Sequence, residues 1–451
     1  MSTVIDTVAA QQEKVRKVIV ELYNEKSNSV ADLIEKAGAE KVDVSRYLYR
    51  APLDLYGGGN FHKVNMDGGS LGIGTGMKLS YLTGAFISTA RSYRITDEQR
   101  NTSADSTQSV VNVFQRTMAK AIPAAKIDDN ITLHTDGSGV LTSASSATNG
   151  STTLTFAAAT DYIGINRLIE GMTVDIWDST LATKRAPSSG TAPTTIISID
   201  YNNLIVTLSQ SIASLTLGDI LTFPNLDVYG PATPTSFSST WPGGGLTNGP
   251  GITGDSFRHG MYYANDNSTS HYYAGRLKST IPQLLPAYVD GTGSTITFDM
   301  VLKGLDQILQ KLGEDQVKGL KGIFHMKQRR ALFAIGVNIS NWNRGQTSDK
   351  MPDLMPSNLQ YSASFDVCGV PCLISQRQYT NRVDFIVPSD WGRVQTKDIG
   401  FKEVSGKTVF EVRGSDGTIS TEVEFHVMTE FDYFSPNPGR GLYVDNLTVP
   451  S

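Results

Sequence analysis

The chain has 451 residues, of which 39% are hydrophobic and 18% are charged, and its formal net charge is −5. This length permits several domains and a core that needs no disulfide or metal, and the small net charge excludes a protein that wraps nucleic acid through many phosphate contacts. No run of eighteen apolar residues occurs, so no membrane span is predicted, and the first residues lack the pattern of a secretory signal.

The first 50 residues differ from the rest because they carry eight acidic and eight basic side chains. Apolar residues between Val4 and Leu22 recur at helical spacing and predict an amphipathic helix. A break near Asn28 is followed by a second short helix through Leu33 and Ile34. Such an arm is too short to bury its own apolar stripe, so we expect it to lie on the body or on a neighbour.

A glycine-rich stretch follows between residues 57 and 76. It does not match a phosphate-binding loop, because Lys78 is followed by Leu79 rather than by serine or threonine. It does not match a dinucleotide-binding turn either, because no convincing strand precedes it and no convincing helix follows. The glycines instead favour a long β-hairpin whose backbone can approach another chain closely.

Residues 105–127 give the clearest helical pattern of the chain. Asp105 is the predicted N-cap, and Pro123 should kink or end the helix. The segment 131–134 and a turn at residues 136–139 are expected to follow.

Residues 140–230 predict a separate all-β unit, a small barrel or a sandwich. Trp177 and Phe223 are the expected core anchors. Residues 231–256 are rich in Pro, Gly, Ser and Thr and predict a long loop or linker. The strands of the unit are predicted at 152–156, 172–178, 194–200, 204–208 and 219–223.

The C-terminal part returns to mixed α and β structure, so the fold class is α+β. Thr297 caps one predicted helix and Gly313 closes it, and another helix is expected after His325. Residues 422–431 alternate between apolar and polar side chains, which indicates a long half-buried antiparallel strand. Further strands are predicted at 372–375, 383–387 and 408–413.

The sequence shows no arrangement of residues that requires catalysis. The six histidines are scattered and have no metal-ligand spacing, and no nucleophile elbow occurs. The two cysteines, Cys368 and Cys372, are too few for a disulfide framework or a structural zinc site and are expected to be free thiols. We therefore predict no enzyme activity, no cofactor and no metal.

The order of these parts resembles the major capsid protein of tailed bacteriophages, the Hong Kong 97-like fold. The segments that carry the resemblance are Pro52–Gly59, Asp67–Gly74, Arg276–Ser279, Gly369–Pro371, Asp390–Arg393 and Asn437–Gly441. The β unit departs from the basic pattern and resembles the insertion domain of some members. The implied division is an N-terminal arm (1–50), an extended loop (51–100), a peripheral domain with a spine helix (101–139), an insertion domain (140–230), a linker (231–256), most of an axial domain (257–400) and a return to the peripheral domain (401–451).

The resemblance implies a subunit that forms hexamers and pentamers of an icosahedral head around double-stranded DNA. It implies portal, scaffold and decoration proteins as further partners, no membrane, and assembly in the cytoplasm of a bacterial host into a virion. The candidate assembly residues are Arg50, Lys63, Gly68, Gly69, Gly72, Gly74, Lys78, Arg94, Asn437 and Arg440. Some family members cross-link a loop lysine to a neighbour's asparagine, but here we favour exposed lysines and an ordinary turn asparagine.

Two other functions fit parts of the sequence. A tail tube, baseplate or fibre component would also contain β modules, although a fibre would show repeats. A carbohydrate-binding or carbohydrate-active protein is suggested by Trp177 and Trp241 alone. Residues 137–257 carry five more acids than bases, so the remainder is formally neutral. If the chain is a shell subunit, the β unit is expected on the outer surface, because an inserted domain there takes no volume from the packaged DNA.

Overall fold

The computed structural model describes residues 29–36, 48–56, 76–85, 87–96, 98, 113–135, 139–144, 146–156, 164–180, 183–188, 193–224, 260–274, 276–343, 364–413 and 419–449. The first predicted helix of the arm, the glycines of the hairpin tip and the linker lie outside these ranges. The helices are α1 (Ser29–Lys36), α2 (Val113–Leu133), α3 (Met261–Ala264), α4 (Phe298–Leu312) and α5 (Met326–Asn343).

The strands within the described residues form five sheets. Those of the N-terminal half are β1 (Leu48–Tyr56), β2 (Lys78–Ala85), β3 (Ile87–Thr96), β4 (Val140–Ser143), β5 (Ser146–Ala147), β6 (Thr153–Thr155), β7 (Thr173–Trp177), β8 (Thr194–Asp200), β9 (Ile205–Leu208) and β10 (Ile220–Thr222). Those of the C-terminal half are β11 (Tyr272–Tyr273), β12 (Arg276–Leu277), β13 (Ala287–Asp290), β14 (Lys321–Phe324), β15 (Ser364–Val367), β16 (Val370–Ile374), β17 (Val383–Ile386), β18 (Gly392–Phe401), β19 (Phe410–Arg413), β20 (Ile419–Phe434) and β21 (Leu442–Asp445).

Helix α2 differs from its prediction at the C-terminal end. It contains Pro123 and continues to Leu133, so the proline does not end it and the segment 131–134 is helical up to its last residue. A proline inside a helix costs about 3 kcal/mol, but one face of α2 is buried. Ala121 and Ala125 pack on one apolar cluster and Ile127 and Ile131 on another, and this burial outweighs the local cost. The predicted cap Asp105 lies outside the described residues.

The β unit contains the five predicted strands, with β5 and β4 in addition. They form one antiparallel path in the order β4-β10-β7-β8-β9-β6-β5. Trp177 and Phe223 are buried, as predicted. The core of the unit is not separate from the body, because Ile127 and Ile131 of α2 belong to the same apolar cluster as the strands.

The C-terminal half contains a six-stranded mixed sheet in the order β13-β21-β17-β14-β16-β15. Helix α4 packs on it through Val301, Leu305 and Ile308, and Thr297 caps the helix by accepting a hydrogen bond from the Met300 N–H. The close approach of α4 to β21 requires a glycine at position 304, because a Cβ there would lie 2.2 Å from Leu442 Cδ1. The predicted helices after Thr297 and His325 and the predicted strands of this region are confirmed.

Cys368 is the first residue of the two-residue turn between β15 and β16, and Cys372 lies within β16. Both are free thiols, as expected, with Cys368 exposed and Cys372 buried. Cys368 has a φ of 53° and Gly369 one of 78°, the left-handed conformations that a two-residue hairpin turn requires.

Candidate assembly surfaces

The base of the predicted extended loop is a two-stranded antiparallel hairpin. Strand β1 pairs with β2 from Leu48 opposite Ala85 to Tyr56 opposite Lys78. After one further residue the chain enters β3, which pairs with β20 over ten positions. The hairpin therefore continues directly from the sheet that contains β20, and its tip, which holds Lys63, Gly68, Gly69, Gly72 and Gly74, lies outside the described residues.

One face of β2 carries an exposed apolar stripe. Met77, just before the strand, is 57% exposed, Leu79 is 63% exposed and Tyr81 is 46% exposed. The next residue, Leu82, points the other way and is fully buried in the cluster that also contains Val30 of α1. The alternation of a strand thus separates a face that packs on the body from a face whose large apolar side chains stay mostly exposed in the subunit. We call Met77, Leu79 and Tyr81 the hairpin stripe.

The base of the hairpin is fixed to the body by Arg276 on β12. Its Nε donates to the Tyr81 carbonyl at 2.8 Å, and its guanidinium lies 4.4 Å from the centre of the Tyr81 ring. The hairpin stripe is therefore presented from a fixed position, which reduces the entropy lost when a partner covers it.

A buried ionic cluster holds the loop that carries Arg276. Lys278 is fully buried, and its Nζ donates to Asp266 Oδ2 at 3.0 Å and to the Asp266 carbonyl at 2.6 Å. His271 Nδ1 lies 2.8 Å from the same carboxylate. Burial lowers the pKa of Lys278, and the neighbouring Asp266 carboxylate offsets part of that shift. For Asp266, burial acts to raise the pKa, but the contacts with His271 and Lys278 outweigh it, so the pKa of Asp266 is lowered. Arg276–Ser279 is one of the segments that carried the resemblance, but nothing in the sequence indicated that Lys278 is buried.

The sheet of β3 and β20 has two different faces. On the face toward α2, Arg91 donates to Asp128 Oδ2 at 2.8 Å, and the rings of Tyr93 and Phe425 stack at 5.0 Å. On the other face, Arg94 lies 3.4 Å from Glu422 and 3.3 Å from Glu424. This confirms the predicted alternation over 422–431, with β20 extending further at both ends. Arg94 is exposed, as an assembly residue would be, but its charge is already compensated within the subunit.

His426 lies on the polar face of β20, as the alternation predicted. Its Nδ1 is 2.8 Å from Ser92 Oγ, and its Nε2 is 3.4 Å from Glu424 Oε1. These contacts are those of a solvated surface histidine, the ordinary outcome expected from the sequence.

The turn at Pro438–Arg440 joins three segments of the same subunit. Arg440 binds both oxygens of Asp390 at 2.8 and 2.7 Å and donates to the carbonyls of Gln316 and Lys318. Burial raises the pKa of Asp390, and the Arg440 guanidinium partly offsets the shift. Arg440 therefore has a role within the subunit. The side chain of Asn437 is half-buried beside it.

The remaining predicted assembly residues lie on the hairpin strands. Arg50 on β1 is opposite Thr83, and Lys78 begins β2 opposite Tyr56. The described backbone places both on the hairpin, as the extended-loop prediction requires, and their part in assembly stays a prediction.

The described residues offer little support for other kinds of site. Among them, no group of three His, Cys, Asp or Glu side chains could hold a metal ion, and none of the helices in these ranges is long and apolar enough to cross a membrane. Trp177 is buried rather than exposed as a sugar platform would be. Trp241 lies outside the described residues.

His134, at the C-terminal end of α2, gives the fold a predicted sensitivity to acid. Its Nδ1–H donates to the Asn130 carbonyl at 2.7 Å, and Nε2 lies 2.9 Å from Ser375 Oγ. Burial, with help from Arg167 and Arg377, lowers its pKa from 6.5 to about 3.

Because the folded chain keeps His134 neutral, the unfolded chain takes up the proton first as the pH falls below 6.5. The free energy of unfolding should therefore fall by about 1.4 kcal/mol per pH unit from this residue alone, down to about pH 3. Urea unfolding of the wild type and His134→Gln at pH 6 and pH 4 tests this. The variant should lose less stability over the interval, and an equal loss in both proteins would contradict the assignment.

Comparison with known proteins shows the fold. No protein-family model matches the chain, and no curated protein sequence matches it. Among solved structures, the capsid subunit of cyanophage A-1(L) matches with a TM-score of 0.53 and 10% identity over 96% of both chains. The capsid of a native GTA particle gives a TM-score of 0.46 at 9% identity over 97% of this chain and 98% of that one. The SrpI encapsulin of Synechococcus elongatus gives 0.44 at 9% identity over 99% and 96%.

The first of these likenesses covers the chain almost from end to end. At 10% identity it concerns the fold and not the activity. The chain therefore has the α+β fold of phage capsid proteins, as its resemblance to the Hong Kong 97-like family predicted. The division into arm, loop, peripheral, axial and insertion parts stays a prediction.

Proposed function

We propose that this chain is a structural subunit whose copies assemble into a closed shell. The observation that carries the proposal is a fold shared with a capsid subunit over 96% of both chains. The hairpin stripe supports it, because three large apolar side chains on a fixed, projecting hairpin are expected to be covered by another molecule.

The finer proposal is the major capsid protein of a tailed phage. Its copies would form hexamers and pentamers of an icosahedral head around double-stranded DNA, assembled in the bacterial cytoplasm with portal, scaffold and decoration proteins. No catalytic role is part of the proposal.

The geometry suggests how the shell would be held. The hairpin would lie over a neighbouring subunit, where the apolar stripe is buried and the strand edges add main-chain hydrogen bonds. Each contact is modest, but a subunit bound to several neighbours at once gains stability through multivalency. The contacts of Arg276 with Tyr81 keep the hairpin in position before assembly.

Electron microscopy of the purified full-length protein tests the proposal. Closed shells are the expected result. Tubes or rods would favour a tail component instead, and monodisperse monomers at high concentration would overturn both. Denaturing electrophoresis of the shells should show a single band at the monomer mass if no covalent cross-link forms.

The double variant Met77→Ser/Leu79→Ser should raise the protein concentration needed for shell formation while leaving the subunit folded. Both side chains are exposed in the subunit, so their loss costs little before assembly, whereas in the shell each contact would lose about 2 kcal/mol of apolar burial. A loss of this size raises the protein concentration needed for assembly roughly 30-fold. Light scattering against concentration measures it.

Leu217→Ser is the matched control for the hairpin stripe. Leu217 is 68% exposed but belongs to the β unit, so its replacement should leave the assembly concentration unchanged. If Leu217→Ser raised the assembly concentration as much as the double variant does, the effect would not be specific to the hairpin stripe. If the double variant assembled at the wild-type concentration, the hairpin stripe would not be part of the interface.

A further inference from the structure

Arg167 is a buried arginine at the junction between the β unit and the body. It ends the short turn Gly164–Arg167, which lies between β6 and β7. Its guanidinium lies 4.7 Å from the centre of the Tyr379 ring and 5.4 Å from the centre of the Tyr262 ring. Both tyrosines belong to the apolar core of the body, and Arg167 is only 1% exposed. Because arginine stays protonated in proteins, a full positive charge lies in the interior of the subunit.

One edge of this guanidinium lacks acceptors. Within the described residues, neither Nε nor Nη2 of Arg167 has a hydrogen-bond partner. These two N–H groups are parallel and form the edge of the planar guanidinium that binds both oxygens of a carboxylate. The two tyrosine rings stabilise the charge through their faces, but a ring face does not replace the acceptors of this edge. A buried charge whose donors stay unpaired is strongly destabilising, so the edge is expected to bind an acceptor.

Two other arginines of the chain show which acceptor this edge takes. In Arg185, Nε and Nη2 donate to the two oxygens of Asp219 at 3.0 and 2.9 Å. In Arg382, which is 3% exposed, Nε and Nη2 donate to the carboxylate of Asp384 at distances between 2.7 and 3.1 Å. Arg167 is buried as deeply as Arg382, but among the described residues no carboxylate lies on its corresponding edge.

The surroundings of Arg167 carry further positive charge. The charged groups that help burial to lower the pKa of His134 are Arg167 and Arg377, both of them cations. Arg377 donates a hydrogen bond to the carbonyl of Asn166, the residue before Arg167. Glu170, the acid nearest to Arg167 along the chain, accepts a hydrogen bond from the main chain of β8 instead. Two cations near a neutral histidine favour an anion over a water molecule as the acceptor.

We propose that the Nε–Nη2 edge of Arg167 binds a small planar oxyanion of carboxylate geometry, such as formate, bicarbonate or nitrate. Two oxygens of the anion accept hydrogen bonds from the two parallel donors, and its charge compensates that of the guanidinium. The anion is small because the site is buried, which excludes a side chain from another molecule. The bound anion stabilises the junction between the β unit and the body, a binding role separate from shell assembly.

Nitrate binding by the full-length, unassembled subunit tests the proposal. The protein is kept in sodium nitrate from cell lysis onward and passed by gel filtration into sodium chloride, and ion chromatography then measures the nitrate that heat unfolding releases. About one nitrate per chain is expected, because one guanidinium edge binds one bidentate anion. Formate and bicarbonate should each displace it, and the stronger competitor identifies the anion that the site prefers.

Urea unfolding in sodium nitrate and in sodium chloride of equal ionic strength gives a second measurement. Nitrate at a concentration of 100 times its dissociation constant should lower the unfolding equilibrium constant about 100-fold. Chloride should give a smaller effect, because a single ion cannot place two oxygens on two parallel donors.

Three variants assign the effect to Arg167. Arg167→Met removes the donors and the charge, so it should bind no nitrate and unfold at the same urea concentration in both salts. Arg167→Lys keeps the charge without the parallel edge and should bind nitrate more weakly. Lys303→Gln, which removes the charge of a side chain that is 64% exposed, is the control and should behave like the wild type.

The proposal is overturned if the wild type retains no nitrate and unfolds identically in both salts, the result expected when water molecules occupy the edge. It is also overturned if Arg167→Met responds to nitrate as the wild type does, or if Lys303→Gln loses the response. The wild-type measurements decide even if Arg167→Met does not fold. Because they use the unassembled subunit, they neither require nor exclude a shell.

Discussion

Replacing Gly439 by alanine should destabilise the subunit by about 3 kcal/mol or more, because the new methyl group has no space. Gly439 lies in the buried turn Pro438–Arg440, and a Cβ there would lie 1.8 Å from the Gln283 carbonyl oxygen and 3.0 Å from its carbon. The obstacle is main chain, so no side-chain rotation can relieve the overlap.

The surrounding hydrogen bonds make a backbone shift costly. Gln283 lies in the short turn Pro282–Leu284, and the Ala287 N–H donates to the Gly441 carbonyl at 2.9 Å. Any movement that accommodates the methyl group must separate these two turns and disturb the contacts of Arg440. The expected result is a lower urea midpoint with an unchanged slope.

Gly76→Ala is the matched control for this prediction. A Cβ at Gly76 would meet no atom within 4 Å, so the same chemical change there should leave the midpoint as it is. A Gly439→Ala subunit as stable as the Gly76→Ala subunit would show that the two turns can separate at little cost.

Removing the carboxylate of Asp384 should cost about 3–5 kcal/mol, since it leaves a buried arginine without its partner. Asp384 is fully buried. It accepts hydrogen bonds from Arg382 at distances between 2.7 and 3.1 Å, from Gln378 at 2.6 Å and from Asn265 at 3.1 Å. In Asp384→Ala all of these donors lose an acceptor.

Two further variants decide whether the charge is the cause. Asp384→Leu/Arg382→Met removes both charges and should recover part of the lost stability, because replacing a buried pair by apolar side chains is often neutral. Asp315→Ala breaks the pair with Lys318, whose two side chains are 84% and 80% exposed, and should change nothing measurable. If Asp384→Ala behaved like Asp315→Ala, the buried network would contribute nothing to the fold.

The sequence predicted those elements whose signals are local. The alternation over 422–431, the Thr297 cap and the turn-bounded strands of the β unit are all confirmed, because strand alternation and caps involve residues a few positions apart. The predicted end of α2 was wrong, because the helix continues through Pro123 to Leu133. The local cost of the proline is offset by packing on residues distant in sequence, such as Val423 and Leu141.

The candidate surfaces were predicted less completely. The hairpin was expected, and Lys78 lies on it. Arg94 lies on β3, which pairs with β20, and the part of both residues in assembly stays a prediction. The hairpin stripe was missed, although Met77, Leu79 and Tyr81 alternate visibly with polar residues. Alternation indicates that one face is apolar, but it does not say whether the subunit itself covers that face. Here Leu82, of opposite orientation, is the residue that the body buries.

By itself, the sequence predicted an α+β chain whose charges balance outside residues 137–257, and it resembled a capsid protein in the order of its parts. Only the tertiary structure decided which charges are buried, as for Lys278 and Asp384, and that the β unit shares its core with α2. The reason is physical: periodicity and capping act between near neighbours, whereas the cost of burying a charge or a proline depends on partners that only the complete fold brings into contact.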